Sequence, residues 1–153
     1  MSEVVVKICR INPNARLPVY ATKGSVALDV QTMIDFTLYP GQSKRVPTGI
    51  AIALPDEYEC QLRPRSSGSG KGLLVHLGTV DTDYRGELML NLTYIAEEGC
   101  FPPPFVAKAE ERIGQMVVTP VPRVVWEEVD SLAALGETER GAAGFGSTGT
   151  GAL

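Results

Sequence analysis

Glycine and proline residues punctuate this chain at short intervals along its whole length. The 153 residues include 16 glycines and 11 prolines, which are spread out rather than pooled in one segment. The runs between them are rich in valine, isoleucine, threonine and tyrosine, residues that are common in strands. Many short strands separated by turns predict an all-β sandwich or barrel. The predicted strands are Val4–Ile11, Val26–Thr32, Phe36–Tyr39, Val46–Leu54, Tyr58–Leu62, Leu73–Leu77, Leu88–Ile95 and Met116–Val121.

The length of the chain suits one domain, but its last part differs in composition. One short helix is predicted at Glu127–Leu135, where Gly136 ends it. Residues 140–153 are rich in glycine and poor in apolar side chains, so their own contacts cannot offset the entropy of ordering them. We therefore predict a domain over residues 1–135 and a glycine-rich arm over residues 136–153. The arm is either a frayed tail or a segment that closes over an anionic ligand carrying a flat ring.

Charge and composition argue against several function classes. The formal charge is −4 and the pI is near 5.0, which argues against binding long nucleic acid through a general basic field. Three cysteines without a CxxC pair are expected to be reduced thiols in the cytoplasm. A single histidine argues against a histidine-based metal site or a Ser-His-Asp triad. We find no leader-like start and no apolar stretch of membrane-spanning length, so no membrane partner is expected.

Residues 63–72 combine two arginines, a lysine, three serines and three glycines. Hydroxyls and unhindered amides donate hydrogen bonds, while guanidinium forks match phosphate oxygens. The segment is therefore a candidate phosphate cradle, although an ordinary flexible loop can have the same composition. It lacks the order of residues that a Walker A motif requires.

Residues 78–87 place Asp81, Asp83 and Tyr84 between two strand-like runs. A carboxylate here can orient and deprotonate a water, and a tyrosine ring can pack on a sugar or a base. The alternative interpretation is a polar hairpin turn whose aspartates bond backbone donors.

Three further features are weaker signals. Asp29 interrupts an apolar run, and a carboxylate in that position is usually paired or functional. Residues 111–116 form a polar entry to a strand. His76 falls within a predicted strand, and we expect a satisfied or partly exposed side chain there rather than a catalytic one.

Taken in order, five segments of the chain resemble the five motifs of the trimeric dUTPase family. The third and fifth are specific, whereas the first and fourth are weak alone, and the match runs from about residue 20 to residue 149. The five segments are Val26–Val30, Pro64–Ser67, Gly78–Gly86, Glu111–Gln115 and Arg140–Gly149.

The resemblance implies a distorted jelly-roll fold and a homotrimer whose three active sites are built between subunits. It implies hydrolysis of dUTP to dUMP and pyrophosphate, which keeps uracil out of DNA and supplies dUMP for thymidylate synthesis. It also implies Mg²⁺ as cofactor. We expect that ion to be held by triphosphate oxygens and water, with Asp29 as an outer-shell contact rather than a direct ligand.

The resemblance also assigns roles to individual residues. Asp81 matches the carboxylate that activates the attacking water, and Asp29 matches the acid that supports the metal and water network. Tyr84 matches the aromatic that packs against the deoxyribose, and Arg140 is placed to neutralise the γ-phosphate. The residues assigned to substrate binding are Arg65, Ser66, Ser67, Val75, Thr79, Val80, Tyr84, Met89, Gln115, Arg140, Phe145, Gly146 and Ser147.

Three departures from the family pattern lie within or beside its motifs. Residues 68–70 read Gly-Ser-Gly where an apolar pair usually opens a short helix, and such weak helix formers are expected to loosen this turn. Ala27 stands where glycine is usual, and Gly114 stands where alanine is usual. We expect little effect from either of these small-for-small changes.

Two alternative functions stay open. A dCTP deaminase-like enzyme shares the jelly roll and an Arg-Ser-Ser loop, but Asn91 occupies the position of its catalytic glutamate and cannot shuttle the proton. A non-catalytic regulator that binds dUTP would keep the fold, although the chain retains Asp81, Tyr84 and the arm.

Overall fold

The computed structural model of the chain describes residues 3–95 and 102–143. It divides the chain into two compact units, Met1–Pro122 and Arg123–Leu153. All the described strands lie in the first unit. They are β1 Lys7–Arg10, β2 Val19–Tyr20, β3 Leu28–Gln31, β4 Phe36–Leu38, β5 Ser43–Pro47, β6 Ile50–Ala53, β7 Tyr58–Pro64, β8 Leu73–Val75, β9 Gly78–Val80, β10 Met89–Tyr94, β11 Phe105–Ala107 and β12 Arg112–Pro120.

The described strands pair antiparallel in four sheets, which confirms the all-β prediction. The largest sheet has five strands in the order β2-β3-β12-β7-β9, and a second has three in the order β5-β10-β8. Two further sheets pair β1 with β6 and β11 with β4. One short helix, α1 at Ser66–Ser69, follows β7 directly. No helix in the described ranges is long and apolar enough to cross a membrane.

The core of the first unit lies where the strands turn their apolar side chains inward. In β10, Leu90, Leu92 and Tyr94 are buried while Asn91 is exposed, the alternation that a half-buried strand requires. Burying one such large apolar side chain stabilises the fold by about 1.5–3 kcal/mol relative to leaving it in water. The largest fully buried apolar side chains are Leu38, Ile50, Leu73, Leu88, Leu90 and Leu92.

The predicted strand Val46–Leu54 is two strands in the structure, so that prediction is wrong in its extent. β5 ends at Pro47 and β6 begins at Ile50. Gly49 between them has a φ of 74°, a left-handed conformation that glycine adopts at little steric cost. Its carbonyl accepts hydrogen bonds from two backbone amides of the segment after β1. The apolar run therefore conceals a turn.

The predicted helix Glu127–Leu135 is also wrong in its extent. The structure has a single 3₁₀ turn at Leu132–Leu135, and the Ser131 hydroxyl accepts a hydrogen bond from the Ala134 amide at its start. Leu132 and Leu135 are 85% and 70% exposed. Helices in proteins gain most of their stability from packing an apolar face, and this segment buries neither leucine.

Other strand boundaries differ from the predictions by one to four residues. The predicted strands at residues 26–32 and 73–77 are shorter in the structure, and the last predicted strand begins earlier, at Arg112. β2, β9 and β11 were not predicted, because strands of two or three residues carry too little alternation to detect.

Candidate active site

The loop that joins β9 in the five-stranded sheet to β10 in the three-stranded sheet forms one wall of a cavity of about 240 Å³, here called the hairpin pocket. Its floor is apolar, because Leu62, Val80 and Leu88 are all buried. Its rim carries exposed polar groups, including the Asp81 carboxylate and the Tyr84 ring, which is 44% exposed. The lining residues are Arg45, Leu62, Gly78, Thr79, Val80, Asp81, Tyr84, Glu87, Leu88, Met89 and Asn91.

Local hydrogen bonds hold the loop that carries Asp81 and Tyr84. The Tyr84 amide donates to the Asp81 carbonyl at 3.2 Å, which closes a turn at the end of β9. The Tyr84 hydroxyl donates to the Glu87 carbonyl at 3.0 Å. The ring lies so close to Gly86 that any side chain there would collide with it. The loop therefore presents Asp81 and Tyr84 on a fixed turn.

The Glu87 side chain ties this loop to a neighbouring turn. Its Oε1 accepts a hydrogen bond from the Gly49 amide at 2.7 Å. The adjacent Leu88 carbonyl accepts from the Thr48 hydroxyl at 2.6 Å and from the Thr48 amide at 3.2 Å. The hairpin pocket is thus braced by the same turn that separates β5 from β6.

A second cavity, of about 410 Å³, opens beside α1 and is here called the arginine cleft. It brings together segments that are far apart in sequence: the approach to β3, the end of β7, α1 and β12. The lining residues are Ala21, Ser25, Val26, Ala27, Asp29, Arg63, Arg65, Ser66, Ser67, Gln115 and Val117.

Asp29 is the anionic centre of this cleft. Its side chain is only 8% exposed, and its Oδ1 lies 2.8 Å from Arg65 Nε. Its Oδ2 lies 2.9 Å from Nη1 of Arg112 and 3.4 Å from Nη2 of Arg65. The acid inside an apolar run is therefore paired, as one of the two sequence interpretations expected, and two guanidinium groups offset the cost of burying it.

These bonds orient the Arg65 guanidinium and leave part of it available. Its Nη1 also donates to the Arg112 carbonyl at 2.9 Å. A guanidinium has five N–H donors, and the contacts to Asp29 and Arg112 use three of them. Among the described residues, the other two donors have no partner. A fork of this kind suits bidentate contact with phosphate oxygens.

The phosphate-cradle segment keeps a closed helical turn. The Arg65 carbonyl accepts from the amides of Gly68 and Ser69, both at 3.0 Å, and the Ser66 carbonyl accepts from Gly70 at 2.9 Å. The turn that we expected to be loosened is therefore formed as α1. The hydroxyl-bearing residues Ser66 and Ser67 are exposed.

The two cavities lie on opposite faces of β7. Leu62 lines the hairpin pocket and Arg63 lines the arginine cleft. Successive side chains of a strand point to opposite faces of the sheet. Within the described ranges the two cavities share no lining residue. A ligand that contacts both cavities of a single chain would have to extend from one face of this sheet to the other.

The structure groups most of the sequence-assigned residues, although it does not test their roles. Thr79, Val80, Tyr84 and Met89 line the hairpin pocket with Asp81. In the arginine cleft, Arg65, Ser66, Ser67 and Gln115 lie with Asp29, and Gln115 Nε2 donates to the Pro64 carbonyl at 2.7 Å.

Other assigned residues lie elsewhere. Val75 is a core residue of β8, 5% exposed, and lines neither of the two cavities. Arg140 belongs to the second unit, where its Nε donates to the Ala143 carbonyl at 2.9 Å. Residues 145–147, the assigned Phe145, Gly146 and Ser147, lie outside the described residues. His76 is exposed just beyond β8 and bonds the Thr93 hydroxyl at 2.7 Å.

The sequence analysis assigned no site role to several residues that the structure places at the two cavities. Arg45, Glu87 and Asn91 line the hairpin pocket, and Arg112 completes the ion pairs of Asp29. Asn91 could have been found, because it follows Met89 at the two-residue spacing that puts side chains on one face of a strand. Arg45 carries no motif, and only the pairing of β5 with β10 brings it to the pocket.

An anion-binding cleft and a pocket with an aromatic ring and a carboxylate, on a β framework, together define a nucleotide-binding class of protein. Comparison with known proteins identifies the family within this class. The sequence model of the dUTPase family matches residues 13–149. The chain belongs to the dUTPase family.

Two curated relatives share much of the sequence. Both are described as deoxyuridine 5′-triphosphate nucleotidohydrolases. The one from Anaplasma marginale is 43% identical over 152 residues, which cover 95% of this chain and 98% of the relative. The one from Dictyoglomus turgidum is 43% identical over 151 residues, which cover 94% and 97%.

A solved structure shares the fold. The dUTPase of Staphylococcus bacteriophage 80alpha with dUpNHpp superposes with a TM-score of 0.83 at 24% identity, covering 95% of this chain and 99% of that chain. The jelly-roll fold implied by the sequence resemblance is confirmed.

Proposed function

We propose that the protein hydrolyses dUTP to dUMP and pyrophosphate, which keeps uracil out of DNA and supplies dUMP for thymidylate synthesis. The observation that carries this proposal is the exposed Asp81 carboxylate beside the Tyr84 ring at the mouth of the hairpin pocket, in a chain of the dUTPase family. The two curated relatives described as nucleotidohydrolases of this triphosphate support it.

In the proposed reaction, Asp81 acts as the general base. A water oxygen bonds to the α-phosphorus while the bond from that phosphorus to the bridging oxygen of the β-phosphate breaks. The proton of the water passes to the Asp81 carboxylate, and pyrophosphate leaves with the bonding electron pair. The Tyr84 ring packs on the deoxyribose, and backbone groups at Thr79 and Val80 face the uracil edge.

The arginine cleft holds the triphosphate in this proposal. Arg65 offers its remaining N–H fork to phosphate oxygens, and Ser66, Ser67 and Gln115 donate further hydrogen bonds. The carboxylate of Asp29 keeps that fork oriented before the ligand arrives. Such preorganised donors cost little reorganisation when charge develops on the leaving group.

We propose a homotrimer with shared active sites, as the resemblance to the dUTPase family implies. The two cavities lie on opposite faces of β7, which supports an active site that takes one cavity from each of two copies of the chain. The glycine-rich arm over residues 136–153 closes over the ligand, with Arg140 on the γ-phosphate, Phe145 on the uracil, and Gly146 and Ser147 donating to phosphate.

Mg²⁺ would be held by the triphosphate oxygens of the substrate and by water. Among the described residues, no three histidine, cysteine, aspartate or glutamate side chains form a metal cluster. Two guanidinium groups already neutralise the Asp29 carboxylate, so it meets the ion only through water. When bound, the ion neutralises phosphate charge and polarises the phosphoryl oxygens.

We place the enzyme in the cytoplasm, where thiols stay reduced. Cys9 and Cys60 are free thiols, and burial raises the pKa of Cys60 to about 12, with the nearby Glu59 charge adding to the shift. A thiol with so high a pKa stays protonated and reacts slowly.

The test is a pyrophosphate-release assay that compares dUTP, dTTP, dCTP and UTP, each with and without Mg²⁺. We expect Mg²⁺-dependent turnover of dUTP with a kcat/KM at least about 100-fold above that of the other three. Ammonia released from dCTP would instead identify a deaminase. Tight binding of dUTP without turnover would identify a regulator.

The role of the arm has a separate test. We expect deletion of residues 140–153 to lower turnover by at least about 10-fold, because charge-assisted contacts to the ligand are lost. The melting temperature should change little, since Arg140 is exposed and bonds only within its own turn among the described residues. A large fall in melting temperature would instead show that the arm stabilises the fold.

A further inference from the structure

One wall of the hairpin pocket carries a hydrogen-bonded pair of side chains to which neither the sequence motifs nor the proposed reaction gives a role. Arg45 on β5 and Asn91 on β10 lie directly opposite each other in the antiparallel pairing of these strands. Both side chains are exposed and both line the hairpin pocket, together with Asp81 and Tyr84.

The bond between them fixes the orientation of the amide. Arg45 Nε lies 3.2 Å from Asn91 Oδ1. Because a guanidinium nitrogen can only donate, the amide must turn its carbonyl oxygen toward Arg45. Its NH₂ group and both Nη groups of Arg45 have no partner among the described residues, and all of them are donors. This wall of the pocket therefore offers donors alone.

We infer that Arg45 and Asn91 form a specificity-determining wall that accepts a base with a carbonyl oxygen at its exocyclic position and rejects one with an amine. The inference rests on the proposed function and deepens it, because uracil has a carbonyl where cytosine has an amine. A uracil oxygen accepts hydrogen bonds from this wall. A cytosine amine would place a donor against these donors. The bound base would then remove water from these polar groups without giving them a partner, which is costly.

The test measures binding rather than turnover, so that it is independent of the proposed reaction. The probes are the α,β-imido analogues of dUTP and dCTP, with Mg²⁺, titrated calorimetrically into the full-length protein. The variant is Asn91→Asp, which keeps the shape of the side chain but replaces the NH₂ donor with an acceptor oxygen. We expect the ratio of the two affinities to shift toward the cytosine analogue by about 10-fold or more.

Two further variants complete the design. Arg45→Met frees the amide to turn either way, so we expect a smaller shift in the same direction. Thr93→Val is the matched control, because Thr93 lies on the same face of β10 but bonds Ser43 and His76 and does not line the pocket. We expect it to leave the ratio unchanged, and thermal melts should show that all three variants are folded.

The outcomes separate this inference from the proposed function. If the folded Asn91→Asp and Arg45→Met variants both keep the wild-type ratio, the inference is overturned, whether or not the wild type hydrolyses dUTP. A shift of the same size in Thr93→Val would also overturn it, because the effect would then belong to the sheet face in general. If the ratio shifts as expected but the wild type releases no pyrophosphate from dUTP, the inference stands and the proposed hydrolysis fails.

Discussion

The hairpin pocket and the arginine cleft are built in different ways and suit different kinds of ligand group. Most of the hairpin pocket comes from one continuous segment of chain, and backbone hydrogen bonds hold its loop. The cleft draws on four separate segments, and ion pairs around one nearly buried carboxylate hold it. A flat, neutral ring can be recognised by a local turn, whereas a polyanion needs cations whose mutual repulsion is countered in advance.

This difference predicts that the two cavities respond differently to mutation. Changes at the rim of the hairpin pocket should alter rate and specificity with little effect on stability, since the rim is exposed. Changes at the ion pairs of the cleft should alter stability and binding together, because the same groups do both.

The largest effect is expected from Asp81→Asn. An amide cannot take the proton of the attacking water, so pyrophosphate release from dUTP should fall by about 100-fold to 10,000-fold. The protein should still bind a non-cleavable dUTP analogue and should melt like the wild type. Asp83→Asn is the control in the same loop, and it should keep most of the activity. Unchanged turnover in Asp81→Asn would remove this carboxylate from the mechanism.

Asp29→Asn should have the next largest effect and should act on both stability and binding. It leaves Arg65 and Arg112 side by side without their counter-charge. We expect a loss of about 2 kcal/mol in the free energy of unfolding, between the values typical of buried and of exposed pairs. KM for dUTP should rise because the Arg65 fork loses its orientation.

Urea unfolding and steady-state kinetics measure the two effects of Asp29→Asn. The control is Glu110→Gln, which removes an exposed pair between Arg16 Nη2 and Glu110 Oε2 that is 3.0 Å long. That change should cost at most about 1 kcal/mol. If Asp29→Asn proves as harmless as the control, ion pairs do not hold the cleft together.

Gly114→Ala tests how closely β12 packs against the core, at a position where the sequence alone led us to expect little effect. A Cβ at Gly114 would lie 2.7 Å from Leu90 Cδ2, and Leu90 is fully buried. We expect a loss of about 1 kcal/mol in the free energy of unfolding from overpacking. The double variant with Leu90→Val should lose less than the sum of the losses of the two single variants, which urea unfolding can measure. Additive losses would contradict direct contact between the two positions.

The smallest effect is expected at Asp35, which lies in neither cavity. The Ala109 amide and then Lys108 lower the pKa of this exposed carboxyl below its ordinary 3.8. A lowered folded pKa stabilises the protein above pH 3.8, and that contribution is lost as the pH falls through the folded pKa. Asp35→Asn should therefore lower the melting temperature slightly at neutral pH. The difference from the wild type should vanish in acid, and one that grows in acid would contradict the sign.

The hairpin pocket was predictable from the sequence to the extent that it is local. Asp81 and Tyr84 stand close together in one segment, and the structure puts both on one rim. Arg45 was not predictable, because its place depends on the pairing of β5 with β10. Burial of an acid within an apolar run predicted a partner for Asp29, but neither arginine could be chosen without knowing how β3, β7 and β12 pair.

The fold class could be predicted from the spacing of turns. Two elements were predicted with the wrong extent, each for an identifiable reason. The turn at Gly49 was hidden because apolar residues flank it on both sides. The helix predicted before Gly136 had suitable end signals, but its leucines find nothing to pack against in the second unit. Local helix propensity indicates where a helix can begin and end, but burial of its apolar side chains determines how much of it forms.

The position of β7 between the two cavities makes its length more critical than its composition. Leu62 and Arg63 are neighbours, yet they serve different cavities. Inserting or deleting one residue upstream within this strand would exchange their faces, setting a guanidinium into the apolar floor and a leucine into the cation cluster. A point substitution in β7 alters one cavity at a time, so the two cavities can change independently by substitution. A change in the number of residues in this strand alters both cavities at once.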